Sequence, residues 1–405
     1  MKAIIVGGGI MGLSAAWALR NLGASVTLVE QGALPNPLGS SVDDHRLIRY
    51  PYGAARGYTR MVHAAYDAWE VLWRDLGVKL QIETGTLVLS GKDDNWAAQS
   101  RETLQAEGIQ FEALEPAQLQ AAYPFLDPDG IVEAFRCEHG GLLRAQAIIG
   151  SLKHWLLDHG IRLLSNQQVV AVDAEAGSVR LADGESLQAD CVLVAAGPWT
   201  NRLLPELGDA ARPSRQTVVY LEPPAEMVAA WYRAPMLLDI GGQSGFYAVP
   251  PRVCGDGMRL GLKIGDHSFG NTADPSADRE PSQDEIDAIL APARRRLVGA
   301  EGYRVAQAKT CFYDVQPEEK FQFRRLGPRG YALCGSSGHG FKFGPVLGHS
   351  MAMAMTERAE MAEVARWISG EILAPNPNTP SSNTPGPNTP DHIIPVPASA
   401  SDSKG

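Results

Sequence analysis

Gly7, Gly9 and Gly12 stand in the spacing G-x-G-x-x-G, and Glu30 closes the next apolar run. By itself the spacing is common. Its context makes it specific: Lys2 to Val6 (KAIIV) reads as a buried strand, Leu13 to Leu22 as a helix and Val26 to Glu30 (VTLVE) as a second strand. Together they form a βαβ unit of ~30 residues, the setting in which such a turn binds a dinucleotide. Gly7 permits the tight turn, Gly9 lets the backbone approach a pyrophosphate, and Gly12 lets helix and strand pack closely. The phosphates then meet the unpaired N–H groups at the positive end of the helix. Glu30 is placed to accept hydrogen bonds from a ribose diol and to disfavour a 2′-phosphate.

The elements that hold such a turn continue along the chain. Asn166 to Val172 (NQQVVAV) and Ser178 to Ala182 (SVRLA) read as paired strands, and Cys191 to Thr200 (CVLVAAGPWT) as a buried strand entering a glycine turn at Gly197. This order resembles the return strand of two-dinucleotide-binding flavoproteins, which favours FAD over NAD and makes Val169 and Gly197 candidate cofactor contacts. Strand and helix signals alternate over 1–79, 144–213 and 316–373, which predicts a discontinuous FAD-binding domain. The intervening 80–143 and 214–315 carry alternating strand patterns such as Thr217 to Leu221 (TVVYL) and Gly245 to Val249 (GFYAV), and read as a substrate domain.

The expected fold class is therefore α/β: a Rossmann-like FAD domain interleaved with an α+β substrate domain on a mostly antiparallel sheet. Near the end, Tyr331 to Gly340 reads as a strand and glycine loop. A helix then opens at Phe341–Pro345, with Pro345 in its first turn, and is expected to run to about Ile368. Met351, Met353, Met355 and Met361 read as core packing. From 374 to 405 the chain is rich in Pro, Asn and Thr, with Asn-Thr-Pro at 378–380, 383–385 and 388–390, and is expected to be disordered.

At 405 residues, two packed domains are the natural expectation. Hydrophobic residues at 44% and charged residues at 20% fit a soluble globular chain, and the net charge of −10 opposes a nucleic-acid partner. An acidic surface still allows local Arg and Lys to receive an anion inside a pocket. No window reaches the roughly 18 to 20 apolar residues needed to span a bilayer. The N-terminal run lacks an A-x-A-like cleavage site. Cys137, Cys191, Cys254, Cys311 and Cys334 show no CxxC spacing, so neither zinc nor a disulfide framework is expected. A cytoplasmic, reduced protein with no metal is the expectation.

Three further segments, Asp44 to Gly53 (DHRLIRYPYG), Gly261 to Gly270 (GLKIGDHSFG) and Cys311 to Phe343 with its core Ser337 to Phe343 (SGHGFKF), carry a more specific signal. With the glycine turn, they resemble the monomeric sarcosine oxidase family, relatives of which include N-methyltryptophan, pipecolate and fructosyl-amino-acid oxidases, over about residues 1–370. Taken alone, Cys311 reads as a buried apolar cysteine and Lys263 as a solvated charge at a strand edge. The resemblance implies that Cys311 bonds to the 8α carbon of FAD, and that Arg49 and Lys342 hold a substrate carboxylate. A guanidinium orients such a group bidentately and an ammonium neutralises its remaining charge.

The resemblance also implies that Arg46 lies beside the flavin ring and that Lys263 stabilises the negative charge developing as O2 is reduced. It places His339, His267, Tyr247, Tyr313 and Tyr52 in the active site, with Gly338 and Gly340 in a loop at the cofactor. The chain departs from the family prototype at Ser41–Val42, where a histidine pair would stand, and at Leu238, near a methionine position. Both departures alter ring contacts and pocket shape. The implied activity is oxidation of a secondary amino acid, N-methyl or cyclic, to an imine that hydrolyses, with O2 reduced to H2O2 by a monomer. A dehydrogenase passing electrons to a carrier and an oxidase of glycated amino acids are the alternatives.

Overall fold

Alternation along Lys2–Val6 builds the first half of the fold. Ala3 and Ile5 face one side of the sheet, and Ile4 and Val6 the other, with all four buried. In the computed structural model, which describes residues 1–371 apart from 93, 241–244, 270 and 278, this strand is central to a six-stranded sheet. Its order is Gln322–Gly327, Gly330–Cys334, Cys191–Val194, Lys2–Val6, Ser25–Val29, Arg162–Leu164. Every neighbouring pair is parallel except the edge pair Gln322–Gly327 with Gly330–Cys334. Gly270 and the tail at 374–405 lie outside the described residues.

Ile5, Leu28 and Leu193 pack against the helix Ile10–Asn21 and against Phe343, Leu347 and Met351 of the C-terminal segment. Ile4, Val6 and Val192 pack on the other side against Val169, Val179 and Leu181. Those three belong to a small antiparallel sheet, Val169–Asp173, Ser178–Leu181 and Ser186–Gln188, which pairs as the sequence pattern predicts. A Cβ on Gly12 would lie 1.9 Å from the Gly7 carbonyl oxygen, so the close packing of helix and turn requires glycine there.

A nine-stranded sheet forms the second half and is antiparallel at every junction but one, where Met236–Asp239 runs parallel to Thr86–Gly91. Leu237, Phe246, Ala248, Leu262 and Ile264 face a core closed by Trp231 and by the helix Gln283–Arg296. The alternate residues, Leu238, Tyr247 and Lys263, point to the opposite face. Arg212–Glu222 pairs along its length with Arg304–Val315, placing Cys311 opposite Gln216 and Tyr313 opposite Ser214. Another small sheet ties Arg46–Ile48 to Gly141–Leu143, which also pairs Gln81–Glu83.

The single helix expected to run to Ile368 is two, Gly344–Met355 and Met361–Ile368. Glu357 takes a positive φ of 57°, and the N–H groups of Arg358 and Ala359 both turn back to the Met353 carbonyl, ending the first helix. The amphipathic pattern resumes afterwards, which hid the break. Pro345 does sit in the first turn, and Met351 and Met355 are buried core residues. No helix among the described residues is long and apolar enough to cross a membrane.

Candidate active site

Two adjoining clefts lie between the sheets. The larger, of about 1300 Å³, is lined by Gly7, Gly9, Glu30, Val169, Gly197, Gly338 and Gly340 among others. Gly12 lies behind it, packed on the turn. Glu30 is buried: one carboxylate oxygen accepts from Gly8 N at 2.7 Å, the other from Gly32 N at 3.0 Å and Asn36 Nδ2 at 2.8 Å. Ser41 Oγ accepts from Ile10 N at 2.9 Å. Of the amides at the turn, those of Gly8 and Ile10 are thus engaged within the chain. Both partners sit at the start of the helix, where its orphan N–H groups attract any nearby acceptor.

The smaller cleft, of about 690 Å³, shares Arg46, Tyr313, Gly338 and Phe341 with the larger one. Its wall brings together Arg49, Tyr247, Lys263, His267, His339 and Lys342, gathered from positions far apart in sequence. Gly338, at φ 75°, permits the close approach of Tyr313, whose ring would lie 2.5 Å from an added Cβ.

Arg49 directly follows the short strand Arg46–Ile48. Its guanidinium donates to the Pro51 carbonyl and lies 4.4 Å from the Tyr52 ring and 5.6 Å from that of Trp96. Lys342 sits in the turn Phe341–Phe343, fixed from behind by Trp69 Nε1, which donates to the Lys342 carbonyl at 2.7 Å. Its ammonium donates to Tyr52 Oη and to the His339 carbonyl, each at 2.9 Å. Among the described residues neither Arg49 nor Lys342 makes an ion pair. Burial draws Lys342 well below its ordinary pKa and the nearby Arg49 cation draws it further; burial likewise lowers Arg49.

His339 is buried and held neutral, chiefly by burial and then by the Lys342 charge. Its Nε2 faces the Glu319 carbonyl at 3.0 Å and so carries the proton, leaving Nδ1, 3.4 Å from Tyr52 Oη, as an acceptor. Donors therefore run in one direction, from Lys342 through Tyr52 and His339 to a backbone carbonyl.

Lys263 is not a strand-edge charge. It lies in an interior strand, Leu262–Gly265, and is 3% exposed. Its Nζ donates to Asp43 Oδ2 at 2.6 Å. Arg46 also pairs with Asp43, and the Tyr220 hydroxyl donates to Asp43 Oδ1 at 2.5 Å. Sequence reasoning missed Asp43 and Tyr220. Asp43 borders the motif at Asp44 to Gly53 but reads as a polar loop residue, and its partner Lys263 is 220 positions away.

His267 lies at the rim, solvent-exposed and 2.8 Å from Glu319. Cys311 is half-buried on the strand face it shares with Tyr313. The cleft wall there is formed by Tyr313 and Asp314, and burial pushes the thiol pKa up against the opposing effect of Arg46. All five cysteines are free.

Comparison with known proteins shows the family of the chain. The family described as FAD dependent oxidoreductase matches residues 2–354. Monomeric sarcosine oxidase of Bacillus sp. (strain NS-129) is 28% identical, covering 87% of this chain and 92% of its own. N-methyl-L-tryptophan oxidase of Yersinia pestis (strain Pestoides F) is 24% identical, covering 89% and 96%. Among solved structures, L-proline dehydrogenase from P. horikoshii superposes with a TM-score of 0.75 at 18% identity, over 91% of this chain and 96% of that one. That likeness shows the fold. With a nucleotide-type turn at one end of a long cleft and a cationic pocket at the other, the chain belongs to the FAD dependent oxidoreductase family.

Proposed function

We propose that this chain oxidises a secondary amino acid, N-methyl or cyclic, to an imine that hydrolyses in water, with O2 as acceptor and H2O2 as product. One observation carries the reading: Arg49 and Lys342 are buried cations in one cleft, and among the described residues neither makes an ion pair with an acidic side chain. Burying an ion without a partner costs on the order of several kcal/mol, so such a pair is kept for an anionic ligand. The names of the two curated relatives, both oxidases of N-methyl amino acids, support the same class.

The larger cleft fits FAD by its lining, which holds the glycine turn at Gly7–Gly9, the Glu30 carboxylate and the Arg46 guanidinium. FAD bound there supplies the two-electron acceptor for the amine. The Arg49 guanidinium orients the substrate carboxylate, and Lys342, aligned by Tyr52, neutralises it. Leu238, Ile240 and Phe341 give the smaller cleft an apolar wall for a methyl group or ring carbons. Lys263 offers a buried cation to the negative charge that oxygen acquires. Cys311 is the proposed thioether anchor. In this reading 1–79, 144–213 and 316–373 serve the cofactor, and 80–143 and 214–315 the substrate.

The test is an anaerobic panel of sarcosine, N-methyltryptophan, pipecolate, proline and a fructosyl amino acid, following loss of the oxidised flavin absorbance. Bleaching by at least one, with peroxide formed in air, is expected. A yellow protein that none of them bleaches overturns the reading. Transfer to a carrier in place of oxygen draws support from the Lys263–Asp43 ion pair, which offsets the cation offered to oxygen.

A further inference from the structure

We propose that Asp43 is a positioning residue that ties the Lys263 ammonium to Arg46 and Tyr220 and thereby restrains the reaction of the reduced site with oxygen. The inference rests on the flavin oxidoreductase reading and concerns the acceptor side of the same cleft.

The contrast between the two groups of cations carries the argument. On the substrate side, Arg49 and Lys342 have no ion-pair partner among the described residues. On the other side, the cations converge on one carboxylate. Asp43 Oδ2 receives Lys263 Nζ at 2.6 Å and Arg46 Nη1, while Oδ1 receives the Tyr220 hydroxyl at 2.5 Å and faces Lys309 Nζ at 3.5 Å. Lys309 is shared with Asp44 at 3.4 Å. The Asp43 side chain is 5% exposed, and those of Lys263 and Arg46 are 3% and 14% exposed. Burial pushes the Asp43 carboxyl up, but the Lys263 and Arg46 charges overcome it and hold it well below the usual carboxylate range, so it is ionised.

Sheet register fixes this arrangement. Tyr220 pairs opposite Lys263, so both project from neighbouring strands onto the face that meets the loop carrying Asp43. Lys263 lines the cleft, yet a carboxylate lies within hydrogen-bond distance of its Nζ. For any species gaining negative charge in the cleft, the attraction of the ammonium is opposed by a carboxylate only slightly farther away. Of the charges on Arg46, Lys263 and Asp43, one net positive charge remains.

Reoxidation by oxygen moves two electrons and one proton from the reduced flavin, with a second proton from solvent, onto O2 to give hydrogen peroxide. The first electron is the step that places negative charge on oxygen, and it is the step a restrained Lys263 slows.

The test begins with the holoenzyme, its flavin reduced by light under anaerobic conditions and then mixed with oxygenated buffer. Asp43→Asn keeps the side-chain size and removes the charge. It should speed reoxidation tenfold or more, whereas in a Lys263→Met background the same change should alter the rate less than twofold. The flavin midpoint potential should rise in Asp43→Asn, since the negative charge that offsets two cleft-lining cations, Arg46 and Lys263, is gone. In the flavin-free protein, Asp43→Asn and Lys263→Met should be strongly non-additive in denaturant unfolding. An unchanged or slower reoxidation rate, or additive unfolding effects, overturns the proposal.

If Asp43→Asn yields no folded protein, Asp43→Ser serves the same test. A structure of the wild-type holoenzyme should retain Lys263 Nζ within about 3 Å of Asp43, and a Lys263 turned away from it also overturns the proposal. Because the flavin is reduced by light, the outcome does not depend on any amine. Failure of the amine panel would sink the functional reading and leave this result standing.

Discussion

Tyr52 Oη accepts from Lys342 Nζ at 2.9 Å while its own proton faces His339 Nδ1, so one hydroxyl orients both the cation and the imidazole. A hydrogen bond to a charged group contributes about 1.5–3 kcal/mol. Tyr52→Phe is expected to raise the dissociation constant of a carboxylate substrate or inhibitor about tenfold or more, with flavin content unchanged. Titration of the flavin spectrum with such an inhibitor is the measurement. Unaltered binding would show that the hydroxyl does not orient Lys342.

Lys342 should trade stability for binding. It is buried, has no acidic partner among the described residues and lies near a second cation, so Lys342→Met removes an uncompensated charge at nearly constant volume. The flavin-free variant is expected to be more stable by about 1 kcal/mol or more in denaturant unfolding. Its KM for the substrate should rise at least a hundredfold. A variant that is both less stable and unimpaired in binding contradicts the assignment.

His45 supplies a pH-dependent element. It is fully buried, and burial first, then the Lys263 charge, lower its pKa from 6.5 to about 3. A histidine depressed in the folded state contributes stability that is present above its unfolded value and lost as pH falls through the folded one. Stability should therefore decline from about pH 6.5 towards pH 3, by several kcal/mol in all at 1.36 kcal/mol per unit. Thermal unfolding of His45→Phe at several pH values should show a flatter profile between pH 6.5 and 4 than the parent. Parallel profiles would show that other groups govern the acid limb.

Cys311→Ser tests the proposed thioether directly. After acid precipitation, the parent is expected to keep its yellow colour in the pellet, and the variant to release it into the supernatant. Release from both would leave FAD bound only by the cleft. Mass spectrometry of a peptide containing Cys311 gives the independent check.

The glycine turn with its flanking strands, the paired strands near Val169 and the strand before Gly197 were legible because local pattern and backbone requirement coincide. A tight turn needs glycine, and a buried strand needs continuous apolar residues. The helix break at Thr356–Glu360 was not legible, because polar residues with a positive φ at Glu357 leave the apolar spacing on either side intact.

Motif resemblance singled out Arg49, Lys263, His339 and Lys342 as residue types at recognisable places. Only the tertiary structure decided their electrostatic states. Whether a buried cation is free or neutralised depends on groups brought near it by sheet register and loop packing. Lys342 has no ion-pair partner among the described residues, while Lys263 meets Asp43 from 220 positions away. Charge interactions act through space, and the order of residues along a chain does not fix those distances.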